Sequence, residues 1–196
     1  MSIAASGAVA RRIYAVWVED RPGVLNRVTS LFRRRGFNIE SISSGQARQP
    51  GLARMTIVVK ADETGARRLA VLLSRLVNVL RVDDITSRPA IHHELAMFKV
   101  SASGSARSEV ITLALATGAR LVDVAPESVV IEASSSPKKI DALAEVLRPY
   151  GILEQLRTGL VAMARAADSV MSDPEARAAP VARRPARPAS DDSGSV

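Results

Sequence analysis

The sequence predicts an α+β fold built of two tandem βαββαβ units, and three observations predict it. An apolar strand, Ile13 to Val18, runs through Pro22 and Gly23 into a helix whose apolar residues Val24, Leu25, Val28, Leu31 and Phe32 share one face. The pattern then returns: Ile13, Val16, Val18, Leu31, Gly36 and Ile39 map onto Leu95, Phe98, Val100, Leu113, Gly118 and Leu121 at one offset (118 − 36 = 82). Further on, Ile57, Leu69, Leu72 and Leu73 map onto Ile131, Leu143, Val146 and Leu147 at a shorter offset (131 − 57 = 74), so the second copy lacks eight residues between its middle strands.

Taken in order, the first strand ends at Asp20, and Pro22 suits the first helical position because its φ is preset. Gly36 ends the helix, since glycine accepts a left-handed cap without strain. Phe37 to Ile42 reads as a second strand, Gln46 to Gly51 as a long hairpin loop, and Ala53 to Lys60 as a third strand. Asp62 and Thr64 cap a helix that runs through Asn78, with Leu69, Leu72, Leu73 and Leu76 recurring at three and four. Val79 to Ile85 is the fourth strand, and right-handed crossovers then give an antiparallel sheet with helices on one face. Ser87-Arg88-Pro89 is the linker. Glu94 to Ala164 repeats the unit, with helices over Ser105 to Thr117 and Pro137 to Pro149 and the short Ala125-Pro126-Glu127 in place of the long loop.

The first strand is apolar on both sides, Tyr14, Val16 and Val18 on one and Ile13, Ala15 and Trp17 on the other, so both faces of its sheet need cover. Two helices cover one face; the second requires the carboxy-terminal half, another subunit, or both. Residues 1–10 read as a flexible terminus, 11–87 and 92–165 as the two units, and 166–196, rich in Pro, Ala, Arg and Ser, as a tail too poor in large apolar residues to order itself.

The turn after the first strand carries the chemistry. The amides of Gly23, Val24 and Leu25 at a helix N-terminus suit a carboxylate, and glycine admits a ligand to backbone distance. Asp20 can counter an ammonium, and Asn38 can donate and accept if the first two strands are neighbours. Val24, Leu25 and Ile39 can wall a small apolar pocket. Those are the parts of an amino-acid site. The competing reading is that Asp20 only caps orphan amides. In the second unit Ala102-Ser103-Gly104-Ser105-Ala106-Arg107 stands at this place, with glycine but no carboxylate. Ser103 or Ser105 there reads as a helix cap rather than a nucleophile.

The segments EDRPGVLNRV, RRRGFNIESI, LARMTIVV, Leu76 to Val82 and His93 to Val100 together resemble the acetolactate synthase (acetohydroxyacid synthase) small-subunit family, over about Arg11 to Arg165. That resemblance implies an amino-terminal ACT domain of ferredoxin-like form, followed by a second ferredoxin-like unit. It implies that paired copies bind valine or a related branched-chain amino acid at their interface. The residues carried over are Asp20, Gly23, Val24, Leu25, Asn38 and Ile39. It further implies a regulatory chain without catalysis of its own, activating a catalytic large subunit and conferring feedback inhibition by valine, while thiamine diphosphate, magnesium and FAD belong to that partner. The alternative is a free-standing ACT-type sensor acting on another enzyme.

Composition narrows the classes. Cysteine is absent, which removes disulfide frameworks, Cys-ligated zinc and thiol nucleophiles. His92 and His93 are adjacent, so along a strand they face opposite ways and cannot jointly grip a metal. The net charge is +7; residues 166–196 hold four arginines and five acids, so the remainder carries 23 − 15 = +8. Arg33-Arg34-Arg35 nevertheless complements the end of a helix dipole, and the third strand, Arg54 to Lys60, lacks the aromatics that a ferredoxin-like RNA binder stacks on bases. Neither nucleic acid nor a membrane is an expected partner: no run approaches ~20 apolar residues. The amino terminus lacks the apolar run of a secretory signal, and the expectation is a cytoplasmic protein.

Overall fold

The computed structural model describes residues 8–165; the tail read over 166–196 lies outside them. The first unit is β1 (Ala10–Glu19), α1 (Val24–Arg35), β2 (Ile39–Gln46), β3 (Leu52–Ala61), α2 (Glu63–Ser74) and β4 (Val79–Asp84). The second is β5 (Ala90–Ser101), α3 (Gly104–Ala116), β6 (Arg120–Val124), β7 (Ser128–Ser135), α4 (Pro137–Leu147) and β8 (Ile152–Arg157), and β9 (Val161–Ala164) follows it. Both sheets are antiparallel and share one topology, β2-β3-β1-β4 and β6-β7-β5-β8. The predicted internal repeat is therefore a repeat of fold. Residues related by the offset of 82, such as Val16 and Phe98 or Val28 and Val110, are fully buried at matching places in the two cores. So are Leu73 and Leu147, related by 74.

The local signals act as expected at several element ends. Gly36 caps α1 in the left-handed region (φ 71°), and its N–H bonds back to the Arg33 carbonyl. The Asp62 carboxylate accepts the Gly65 amide at 2.6 Å and opens α2. Two ends differ. Pro22 is not the first helical residue: it lies in a turn, and Gly23 is the N-cap with φ 85°, a conformation that L side chains rarely adopt. α2 ends at Ser74 instead of reaching Asn78, because Leu69 and Leu73 complete its buried face and Asn78 is held by groups on β1 and α1.

β9 was not separable from the second unit in the sequence. β5 is long enough to serve twice: Glu94–Ser101 pairs with β7, while Ala90–His93 pairs with β9. β9 thereby leaves the second sheet and crosses the outer face of the first. Leu160 and Ala162 are buried there with Ile13, Ala15, Val58 and Ile85. The cover demanded by the two-sided apolar β1 is thus supplied, in part, by the carboxy-terminal half of the same chain.

Candidate functional site

The β1–α1 turn is held from below. Asp20 donates its amide to the Gly51 carbonyl at 2.8 Å, and Glu19 donates its amide to the Asn78 carbonyl at 3.0 Å. Asn78 Nδ2 donates to Glu19 Oε2 at 2.8 Å and Asn78 Oδ1 accepts from Arg27 Nη1 at 2.7 Å, so one side chain joins β1, α1 and the α2–β4 loop. Sequence reasoning missed this network. Its only trace is a polar residue inside the apolar run Leu76 to Leu80.

Asp20 to Gly23 are all exposed. The Asp20 carboxylate engages no hydrogen bond or ion pair among the described residues, and no side chain caps α1. The helix-cap reading of Asp20 therefore fails, and its charge stays free for a cationic group. Of the first-turn amides, Val24 donates to the Arg21 carbonyl at 3.3 Å and Arg27 to the Gly23 carbonyl at 3.0 Å. Those of Leu25 and Asn26 keep the orphan character of a helix N-terminus, and they are the donors an anion meets. Around the Gly23 Cα the space is open: a Cβ built there meets nothing within 4 Å.

The apolar residues divide. Val24 is buried in its own core, Leu25 is 47% exposed, and Ile39 is half-buried against the core. Of the turn's two apolar residues, only Leu25 presents surface to a ligand.

Asn38 is exposed, immediately before β2, and the structure does not bring it to the turn. The condition that β1 and β2 be neighbours is not met, since β3 lies between them. Ile39 pairs with Val59, and Val59 pairs with Arg12 near the start of β1, whereas the turn follows Glu19. Seven residues of strand, about 23 Å, separate the two levels. Within one chain, Asp20 to Leu25 and Asn38-Ile39 sit at opposite ends of the sheet.

At the equivalent place in the second unit, Ala102 occupies the position of Asp20 and is fully buried, and Ser103, at the N-cap of α3, makes no side-chain cap bond. Among the described residues, no group of three or more His, Asp or Glu could hold a metal ion, and no helix is long and apolar enough to cross a membrane.

Comparison with known proteins matches both units. Residues 15–81 match the model of the AHAS small subunit-like ACT domain, and residues 93–166 that of the small subunit of acetolactate synthase. The chain is 44% identical over 154 residues to a probable acetolactate synthase small subunit of Methanothermobacter thermautotrophicus, covering 78% of this chain and 92% of that one. It is 41% identical over 156 residues to the acetolactate synthase small subunit of Bacillus subtilis, covering 79% and 91%. Among solved structures, the acetolactate synthase small subunit from Thermotoga maritima superposes with a TM-score of 0.75 at 31% identity, over 81% of this chain and 99% of that one. Both halves of the fold, in the same order and over nearly the whole length of these relatives, place the chain in the acetolactate synthase small-subunit family.

Proposed function

We propose that two copies of this chain pair through the free edge of β2 and hold valine, or a related branched-chain amino acid, between them. The Asp20–Leu25 turn of one copy and Asn38 and Ile39 of the other form each site. Through these sites the dimer regulates a catalytic large subunit of acetolactate synthase, raising its activity and conferring feedback inhibition. Thiamine diphosphate, magnesium and FAD are assigned to that subunit.

The observation that carries this reading is the separation of the site residues within one chain. β2 is an edge strand, paired only with β3; its one charge and its register shift both fall at Glu40, and Ser41 to Gln46 beyond them carry neither charge nor proline. Two β2 edges related by a two-fold axis run antiparallel. The beginning of one copy's β2, with Asn38, then stands at the end of the sheet where the other copy's β1–α1 turn lies. In that arrangement the free Asp20 carboxylate receives the ligand's ammonium, the Leu25 and Asn26 amides receive its carboxylate, and Leu25 and Ile39 flank its side chain.

Complementation tests it. Asn38→Ala should weaken valine binding by roughly ten- to a hundred-fold, since hydrogen bonds to a charged ligand contribute about 1.5–3 kcal/mol. Gly23→Asp should abolish binding through repulsion and through the strain of a side chain at φ 85°. Co-expressed, the two variants assemble mixed dimers with one intact site each, and calorimetry should then recover high-affinity binding at a fraction of the wild-type stoichiometry. A mixture no better than either variant alone would show that the two groups do not meet across a dimer.

A further inference from the structure

On the outer face of the first sheet, opposite its helices, Trp17 lies between two guanidinium groups. Trp17 pairs with Arg54 on β3 and with Arg81 on β4, and each guanidinium carbon sits 5.1 Å from the ring centroid. Arg81 is held within the sheet by a bidentate pair with Asp83, at 2.8 and 2.5 Å.

Arg54 reaches out of the sheet. Its Nη2 donates to the Ala162 carbonyl of β9 at 2.6 Å, while the Ala162 amide points back to Thr56 Oγ1 at 3.4 Å. Thr56 and Ala162 are both buried, and desolvation lowers the pKa of Arg54 against the opposing pull of Asp83. A charge half withdrawn from water is a costly way to fill space that a leucine or methionine would fill, so a specific positional role is the reading that accounts for it.

Both ends of this contact lie on elements with somewhere to go. Trp17 lies on β1 three residues before Asp20, the first residue of the proposed sensing turn. β9 pairs with Ala90–His93, and that strand continues without a break into the centre of the second sheet. The segment leading into β9 is also close to the first sheet: a Cβ built on Gly159 would stand 2.8 Å from the Ser41 Cβ, so the chain lies against β2 as well.

We propose that Arg54 is a positioning residue for regulation: it couples the ligand turn at the end of β1 to the second unit, through Trp17 on one side and the Ala162 carbonyl on the other. Occupation of the turn shifts Trp17, the guanidinium follows its stacking partner, and β9 carries the displacement into β5. This rests on the amino-acid sensing proposed above for the turn.

Trp17 is the only tryptophan of the chain, so its emission reports on this junction. Wild type, Arg54→Met and Arg54→Lys are compared as full-length chains, with valine as the probe. Three readouts are taken: binding by calorimetry, emission on ligand addition, and inhibition by valine after reconstitution with the large subunit. Arg54→Met keeps the apolar stem; Arg54→Lys keeps the charge without the planar fork. The expected result is valine affinity within about threefold of wild type in both variants, an emission response reduced or lost, and a half-inhibitory concentration raised about tenfold in Arg54→Met and less in Arg54→Lys. Should Arg54→Met bind valine and be inhibited as wild type is, Arg54 does not couple the units, and the sensing site stands unaffected. Parallel loss of binding and inhibition with a lowered melting temperature in Arg54→Lys would make Arg54 mere glue and overturn the proposal. A wild-type chain that binds no branched-chain amino acid would fail the sensing reading itself, and the coupling with it.

Discussion

A single side chain, Tyr14, ties two elements of the first unit together. It is fully buried at the centre of β1, and its hydroxyl donates to the Ala66 carbonyl of α2 at 2.9 Å, tying strand to helix inside the core. Burial, and then the nearby Asp84 carboxylate, push its pKa above the ordinary tyrosine value. The unfolded chain loses this proton near pH 10 and the folded chain keeps it, so the unfolded state binds fewer protons and stability falls as pH rises through that point. Tyr14→Phe removes both the bond and the titration. In urea unfolding near pH 8 it should be about 1 kcal/mol less stable than wild type, and the difference should shrink at about pH 10.5. An unchanged difference at the higher pH would show that Tyr14 does not contribute to alkaline destabilisation.

At the scale of elements, the two units use one plan with different reinforcement. α1 carries four buried apolar residues and three arginines in its last turn, where they complement the dipole. α2 is secured at its start by the Asp62 cap, whereas α3 and α4 have Ser103 and Ser136 at the N-cap with no side-chain bond. Asp62→Ala should therefore cost about 1 kcal/mol of stability, and Ser136→Ala only a few tenths. Thermal melts of the two variants against wild type check this contrast, and equal losses would show that the cap bond is not what distinguishes the helices. The structure also explains why α2 is four residues shorter than its apolar spacing implies. Asn78 is held outside the helix by Glu19 and Arg27, and its carbonyl accepts the Glu19 amide.

On the scale of the whole molecule, the two units are not independent beads. Leu160 belongs to the second half in sequence, yet it is buried against the first sheet. Leu160→Ala should destabilise the first unit by about 2–5 kcal/mol, the range for deleting a buried leucine side chain, and should speed hydrogen exchange of the β1 and β3 amides. Unchanged exchange in those strands would mean that β9 does not support the first sheet. Truncation after Arg165 keeps β9 and all of the described core, so it should leave valine binding and activation of the large subunit nearly intact. Loss of activation on that truncation would assign docking to residues 166–196.

Much of this architecture is written in local pattern. The alternation of β1, the three-and-four spacing of Leu69, Leu73 and their counterparts, the stop at Gly36 and the offsets of 82 and 74 each depend on neighbours a few residues apart or on simple repetition. The two-unit fold and the need for cover on the second face of the first sheet followed from them. Tertiary structure alone decided the rest. The crossover through α1 lays β2 parallel to β1, which starts Asn38 at the end of the sheet away from Asp20; that β3 also enters between the two strands is recorded by no local period. The same holds for Val24, whose apolar side chain serves a core or a pocket equally well until packing assigns it to the core. Which half covers the first sheet is likewise a matter of long-range packing. Four residues of β9 carry too little pattern to show that they leave one sheet to close another.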